Sequence, residues 1–475
     1  MLYTPLGDEK MGQDDEQTSQ DSDSAVQQQV GLTDDFIHEI RALLEQNYID
    51  RIQEVCRDLS AADMADLLIK VGSDERHKLV EILENDIPPE TFTYLDREIL
   101  NDLLEHMPGP HIASIVAALE SDDAISLIHD LDETRRGEIM RSLSRKVRAV
   151  VEEGLTFPEK SAGRLMQREF VAIPQFWSVG KTVDYLRAAA DALPHTFYDI
   201  FIVDPMHRFV GAVSLSHLLC AQRAVKVDAL VHEEHVVIPV LMDQEQVAHM
   251  FRRKDLLSAP VVDENDRLIG VITVDDIVDV IDEEAEEDFL KLGGVSNSDI
   301  FSPTIYTVRA RFMWLAVNLL TAFADTFVIS RFEGTIEKIV ALAALMPVVA
   351  SMGGNAGTQT LAVVVRALAT KELTAANTLR ITFKEIVVGS INGILFGLIM
   401  IAIIIFWYHN VKLGLVMGAA MVLNLAAAGL SGALIPIWLN RLKFDPAHSA
   451  VVFLTTVTDV VGFFAFLGLA ALFLV

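Results

Sequence analysis

Five long apolar runs crowd the last third of this chain, at about 312–332, 338–365, 385–407, 411–439 and 449–475. Each is long enough to cross a bilayer as a helix, which takes about 20 residues. The rest of the chain is of opposite character. Over 475 residues the formal net charge is -29, yet 51% of residues are hydrophobic. Residues 1 to about 300 hold most of the charge, so acidity and apolarity belong to separate regions. This predicts a multidomain α plus α/β membrane protein, with soluble domains first and a five-helix membrane domain at 309–475.

Lys and Arg set the orientation. With the N-terminal half in the cytosol, the inner segments hold Arg309, Arg311, Arg366, Lys371, Arg380, Lys384, Arg441 and Lys443. The outer segments hold only Arg331, Lys338 and Lys412. Five spans then put the C-terminus outside. The first 30 residues are rich in Gln, Ser, Asp and Glu and predict a disordered tail rather than a secretory signal. Two cysteines, Cys56 and Cys220, make no disulfide framework. The acidity argues against nucleic acid and suits a surface that collects cations.

Two carboxylates fall inside the spans. Asp459 lies near the middle of the last, within Thr455-Thr456-Val457-Thr458-Asp459, and Asp325 lies toward the outer end of the first. A charge at such depth costs several kcal/mol unless it is hydrated, paired or metal-bound. The spans offer no interior Lys or Arg, so Asp459 reads as a cation site in a pore, or else as a neutral carboxyl. Asp325 reads equally as a wet helix-end residue. The run Gly353-Gly354-Asn355-Ala356-Gly357-Thr358-Gln359-Thr360 is too polar for lipid and faces either a water-filled path or another helix. Asn424 has the same two readings and leans toward helix contact.

The soluble half contains two repeats. Residues 31–160 read as a helical array, since Leu59-x-x-x-Asp63-x-Ala65-x-Leu67-Leu68 recurs at Leu119-x-x-x-Asp123-x-Ile125-x-Leu127-Ile128, 60 residues on. That spacing predicts stacked helix pairs of about 30 residues. Farther along, Phe201-Ile202-Val203-Asp204 recurs as Pro260-Val261-Val262-Asp263, and Gly211-Ala212-Val213-Ser214 as Gly270-Val271-Ile272-Thr273, at an offset of 59. Each copy reads as strand, turn, strand, helix with a helix before it. The pair, 161–225 and 226–281, resembles tandem CBS domains. That resemblance implies an adenine-nucleotide site at Thr273 and Asp276 with Tyr198. The first copy has Ser214 followed by His217 in place of the aspartate.

Between the halves runs Asp275-Asp276-Ile277-Val278-Asp279-Val280-Ile281-Asp282-Glu283-Glu284-Ala285-Glu286-Glu287-Asp288-Phe289, unbroken by Gly or Pro until Gly293. The spacing predicts one helix in 282–308 and the residues before it. Asp276, Asp279 and Glu283 share one face, as do Glu284, Glu287 and Asp288, with Ile277, Val280, Ile281, Ala285 and Phe289 on the other side. Such a helix is either a solvated spacer or a site for divalent cations. Oxygen donors with no His or Cys cluster nearby favour Mg²⁺, Ca²⁺ or Mn²⁺.

The whole order resembles the MgtE family of magnesium channels. Its specific motifs are Pro347 with Gly353–Gln359, Asp445-Pro446-Ala447 followed by Thr455–Asp459, and Ala285-Glu286-Glu287-Asp288-x-x-Lys291-Leu292-Gly293. The resemblance implies a multi-pass homodimer of the plasma (inner) membrane that imports Mg²⁺ through a pore between subunits. Asp459 would hold hydrated Mg²⁺, with Asn355, Thr455 and Asp325 as further pore residues. The acidic helix would be a plug that closes when cytosolic Mg²⁺ is high. The implied sensor acids are Asp276, Asp279, Glu284, Glu287 and Asp288, with Asp243, Glu245 and Asp255 and, in the helical array, Asp122 and Asp123. Val451 departs from the polar residue of some relatives. The rival within transport is an ion-coupled divalent cation carrier. An enzyme is disfavoured, as the chain has no Walker loop, Gly-x-Ser-x-Gly, His-Glu-x-x-His or Cys/His metal cluster.

Overall fold

The computed structural model describes residues 32–475 apart from 130, 195, 232–234, 294–303, 374, 375, 443 and 445. The expected N-terminal tail, most of the linker after the acidic helix, and Asp445 lie outside the described residues. Two compact units emerge. One ends at Asp243 and takes in Ser258–Thr273; the other comprises Gln244–Leu257 and Val274–Val475.

The first unit opens with an array of short helices. They are α1 (Asp34–Glu45), α2 (Ile49–Cys56), α3 (Ala61–Lys70), α4 (Ser73–Leu83), α5 (Arg97–His106), α6 (Gly109–Ala118), α7 (Ser121–His129), α8 (Glu133–Ser142) and α9 (Arg145–Gly154). Side chains of Thr33, Ser60, Asp132 and Ser144 accept from the third amide on and start α1, α3, α8 and α9. One apolar core runs through the array from Ile37 to Val151. The repeat is visible in its hydrogen bonds, which step from one helix pair to the next. Arg41 Nη2 donates to Lys70 O (2.9 Å), Gln53 Nε2 to Ile82 O (3.0 Å) and Ser73 Oγ to Asp102 Oδ2 (3.1 Å), each across 29 residues.

After α10 (Ala162–Leu165) come two three-stranded sheets. In the first, β1 (Ala172–Pro174) runs parallel to β2 (Asp199–Val203), which is antiparallel to β3 (Phe209–Ser214). Helix α11 (Val179–Ala188) precedes β2, and α12 (Leu215–Cys220) follows β3. The second sheet repeats the order with β4 (Ile238–Pro239), β5 (Ser258–Val262) and β6 (Leu268–Thr273). Even the irregularities repeat: the register shifts at Ile202/Val203 and again at Val261/Val262. Asp204 Oδ1 accepts from Met206 N and Arg208 N, and Asp263 Oδ1 from Asn265 N and Arg267 N. The repeated Asp is thus a turn former, whose side chain closes each hairpin.

In the second unit, α13 (Gln244–Lys254) packs on α14 (Val274–Leu292), the acidic helix expected from the sequence. Its apolar side is narrower than the sequence reading. Ile277 and Val280 are buried, whereas Phe289 is 74% exposed and Ile281 is also exposed. The apolar helices follow as α15 (Thr304–Ser330), a short α16 (Glu333–Lys338), then α17 (Ala341–Ala369), α18 (Thr378–Tyr408), α19 (Val411–Arg441) and α20 (Pro446–Phe473). Five of these, α15 and α17 to α20, are long and apolar enough to cross a membrane. Helix α18 begins seven residues before the expected 385, because backbone pairing continues through interfacial Arg380 and Lys384. The connection between α15 and α17 holds α16.

Glycine decides how the spans approach. Gly389, Gly393 and Gly397 recur every fourth residue and form one stripe on α18. A methyl group there would press into Leu425 O, Val422 Cα or Gly418 O of α19. Without side chains in the way, the two backbones pack directly, which in lipid replaces the missing hydrophobic drive.

Candidate functional site

Asp459 lies on α20, thirteen residues from the helix start at Pro446 and fourteen from its end at Phe473. At 1.5 Å per residue that is about 20 Å from either end. Asp325 of α15 is close enough for the Asp459 charge to act on it, and α15 packs along α20. The packing therefore puts on neighbouring helices two carboxylates that are 134 residues apart in sequence. Asp325 Oδ1 is enclosed and has no hydrogen-bond partner among the described residues. An unpartnered carboxylate oxygen in hydrocarbon fits a cation or its water.

Thr455 stands one helical turn before Asp459 on the same face. Its Oγ1 donates to Val451 O and Val452 O, both at 3.1 Å, and so retains oxygen lone pairs for another partner. Thr456 and Thr458 likewise donate to main-chain carbonyls, of Val452 and Thr455. Thr458 is fully buried. These hydroxyls satisfy themselves within the helix, the usual arrangement for threonine in a membrane span.

The polar run of α17 splits between the two readings. Gly353 makes room for Asn424, which is buried and donates Nδ2–H to Val349 O at 2.8 Å. Gly357 receives Leu454 of α20. Thr360 Oγ1 donates to Glu385 Oε2 of α18 at 3.3 Å. These residues join helices. Asn355, Thr358 and Gln359 point away from the rest of the chain and are exposed. Glu385, a third carboxylate within the five long apolar helices, was missed by sequence reasoning. Its position beside Lys384 at a span edge disguises it, although it continues the Gly389, Gly393, Gly397 stripe one turn back.

The expected sensor acids fall in both units. In the second unit, Asp276 is in the first turn of α14, where a carboxylate is favoured by the helix dipole. Gln244 Nε2 donates to Glu284 Oε1 at 2.7 Å, which ties the start of α13, and neighbouring Glu245, to the acidic helix. Glu287 pairs with Lys291 at 2.8 Å, and Asp288 lies beside it on the chain. Asp255 caps the far end of α13 with a left-handed φ of 52°. Asp279 is exposed, yet crowding of its carboxyl, and then the charges of Asp282 and Asp275, raise its pKa. Burial, then Lys371, Arg252 and Arg253, lower that of His249; α13 is therefore near the connection between α17 and α18. At its other end, α14 reaches the apolar half: Leu292 packs against Leu361, Val365, Ala450 and Leu454.

In the first unit, Asp122 and Asp123 occupy the first turn of α7, Asp122 buried. Ser121 beside them donates to Glu169 Oε2 at 2.8 Å. Asp243 forms an isolated bridge with Ser161. Of the nucleotide candidates, Thr273 ends β6 and its Oγ1 accepts from Gln167 Nε2 at 3.2 Å. Tyr198 is partly exposed before β2, and its carbonyl accepts from Leu215 N. One grouping lies outside the sequence reading: His77, Asp102 and His106 of the first unit come close enough together that they could hold a metal ion. It escaped notice because its members come from different repeats.

Comparison with known proteins agrees with this arrangement. Residues 346–469 match the family model of MgtE, a divalent cation transporter, residues 59–160 that of the MgtE intracellular N domain, and residues 227–283 that of the CBS domain. The magnesium transporter MgtE of Bacillus subtilis (strain 168) is 30% identical over 442 residues, 93% of this chain and 98% of that protein. That of Enterococcus faecalis (strain ATCC 700802 / V583) is 34% identical over 324 residues, covering 68% and 71%. A solved cytosolic domain of the Mg²⁺ channel MgtE in complex with ATP is 27% identical, with a TM-score of 0.48, over 51% of this chain and 99% of that one.

Proposed function

Because this chain belongs to the MgtE family of magnesium transporters, we propose that it is a Mg²⁺ channel of the inner membrane, working as a homodimer and closed by cytosolic Mg²⁺. The observation that carries the reading is that Asp459 and Asp325 lie on neighbouring apolar helices, α20 and α15, with no Lys or Arg in the interior of the described spans. Mg²⁺ demands octahedral oxygen and gives up water reluctantly, so it passes most readily with its shell on. Asp459 and its dimer mate would hold such an ion by charge. Thr455 and the exposed Asn355 would accept from its waters. The membrane potential, about 2.3 kcal/mol per charge per 100 mV, drives entry without a coupled ion. The Lys/Arg distribution supports cytosolic N-terminal domains and an outer C-terminus.

Gating follows from the acidic helix. Asp276, Asp279, Glu284, Glu287 and Asp288 on α14, with Glu245 on α13 and Asp255 at its end, are oxygen-only donors suited to Mg²⁺, and so, within the first unit, are Asp122, Asp123 and Asp243. Mg²⁺ bound by these acids would stabilise a closed state, because it binds that state best. Contact of Leu292 with the α17 and α20 ends supports α14 as the obstructing element. An adenine nucleotide at the CBS pair, held by Thr273 and Tyr198 of the first unit, would bias the same equilibrium.

The test is flux into proteoliposomes with Mg²⁺ set separately on each side. Asp459→Asn is expected to abolish uptake while leaving the protein folded. Wild-type flux from that variant overturns the pore assignment. Uptake that follows an imposed proton or Na⁺ gradient, rather than the Mg²⁺ gradient alone, overturns the channel in favour of a coupled carrier.

A further inference from the structure

The array in the first unit stacks equivalent positions of successive repeats. His77 on α4 and His106 on α5 are 29 residues apart, the same step as the hydrogen bond from Ser73 to Asp102. Stacking therefore puts the two imidazoles face to tilted face, with ring centroids 4.3 Å apart and planes at 45°. Asp102, one turn before His106 on α5, completes the cluster, and one donor atom from each residue lies within 4.8 Å of the others.

The detailed geometry favours metal over a simple ion pair. His106 Nδ1 lies 2.8 Å from Asp102 O. A carbonyl can only accept, so Nδ1 carries the proton and Nε2 presents its lone pair. This main-chain contact is the outer-sphere arrangement that orients metal-bound histidines. His77 Nε2 lies 3.2 Å from Asp102 Oδ2, yet it is enclosed and not aligned for a hydrogen bond among the described residues. Asp102 is further steadied by Ser73 Oγ at 3.1 Å. Arg76 Nη1 is 3.7 Å from the same carboxylate, but its Nε and Nη2 donate to Leu68 O and Val71 O at the end of α3. The guanidinium thus closes a helix end rather than filling the cluster.

We propose that His77, Asp102 and His106 form a binding site for a divalent transition-metal ion such as Zn²⁺ or Co²⁺, distinct from the Mg²⁺ sites. Two imidazoles and one carboxylate are a borderline-soft donor set that Mg²⁺ does not select and that Zn²⁺ and Co²⁺ do. Half-buried His77 and exposed His106 leave an open fourth position to solvent.

Co²⁺ is the probe, since its visible absorption reports low-coordinate nitrogen ligation. Tag-free, full-length protein in detergent is stripped with chelator and titrated with Co²⁺ in a large excess of Mg²⁺, which occupies the oxygen sites. One equivalent is expected to bind with a visible band, to be displaced by Zn²⁺ and not by Mg²⁺. His106→Gln, a change on the exposed surface, is expected to weaken Co²⁺ about tenfold or more, and His77→Gln to do the same. A wild-type protein without the band overturns the site. So does unaltered binding in His106→Gln, or displacement of Co²⁺ by Mg²⁺. Should His77→Gln fail to fold, the His106→Gln titration decides alone.

Discussion

Within hydrocarbon, a polar side chain is tolerated only where its neighbours have been shaped around it, and Asn424 shows the cost of that shaping. Its amide reaches Val349 O because Gly353 and Gly462 have no side chain to occupy the space. A Cβ on Gly353 would fall inside contact distance of Asn424 Nδ2. Gly353→Ala is therefore expected to destabilise the membrane domain by about 1–3 kcal/mol through overpacking, measured as a lower Tm of the detergent-solubilised protein. Gly353→Ala combined with Asn424→Ala should recover most of that loss, leaving the deficit of one interhelical hydrogen bond, about 0.6–2 kcal/mol. An unchanged Tm for Gly353→Ala would show that the contact carries no strain. The pairing explains what was legible at this scale. Asp459 and Asn424 stood out because an isolated polar letter in an apolar run is visible without a partner. Glu385 did not stand out beside Lys384, and the Asp102–His106 pair, one turn apart on α5, gave no sign of His77, since 29 residues separate the two rings and only stacking joins them.

At the scale of elements, the five apolar helices and the acidic helix were readable because hydropathy and the lack of Gly or Pro act over many residues at once. Their ends were not, as with α18, which runs on through Arg380 and Lys384 to Thr378. What the acidic helix gains from order depends on its charge. Crowding, then Asp282 and Asp275, raise the pKa of Asp279. A raised pKa means that the packed helix prefers the protonated carboxyl. That preference contributes stability fully below the ordinary value of 3.8 and is lost as pH rises through the raised one. At neutral pH the helix therefore carries the repulsion of Asp279 with Asp275 and Asp282, one and just under one turn away. Asp279→Asn is expected to slow amide hydrogen exchange across Val274–Leu292 in Mg²⁺-free buffer by about two- to fivefold, the worth of two like-charge pairs at about 0.2–0.5 kcal/mol each. Mg²⁺ should slow the wild type in the same segment and add less to the variant. Faster exchange in Asp279→Asn would mean that the carboxylate holds the helix rather than loading it.

For the whole molecule, the question is why a magnesium transporter should carry some 290 mostly acidic residues ahead of its apolar helices. A chain with net charge -29 repels itself, and divalent ions relieve that repulsion in proportion to their concentration. Mg²⁺ that has entered can therefore report on its own supply, provided the packed and loosened states bind it differently. A tenfold fall in open population needs only about 1.4 kcal/mol of differential binding, which one acidic cluster can supply. Removal of residues 1–290 is expected to leave a membrane domain whose flux is insensitive to Mg²⁺ on the cytosolic face, while the intact protein slows as that Mg²⁺ rises. Proteoliposomes with right-side-out and inside-out populations assayed separately distinguish the two faces. If the shortened protein still slows with cytosolic Mg²⁺, the brake lies among the spans themselves, where Asp325, Asp459 and Glu385 are the remaining carboxylates able to sense the ion, and α14 loses its role as the obstructing element.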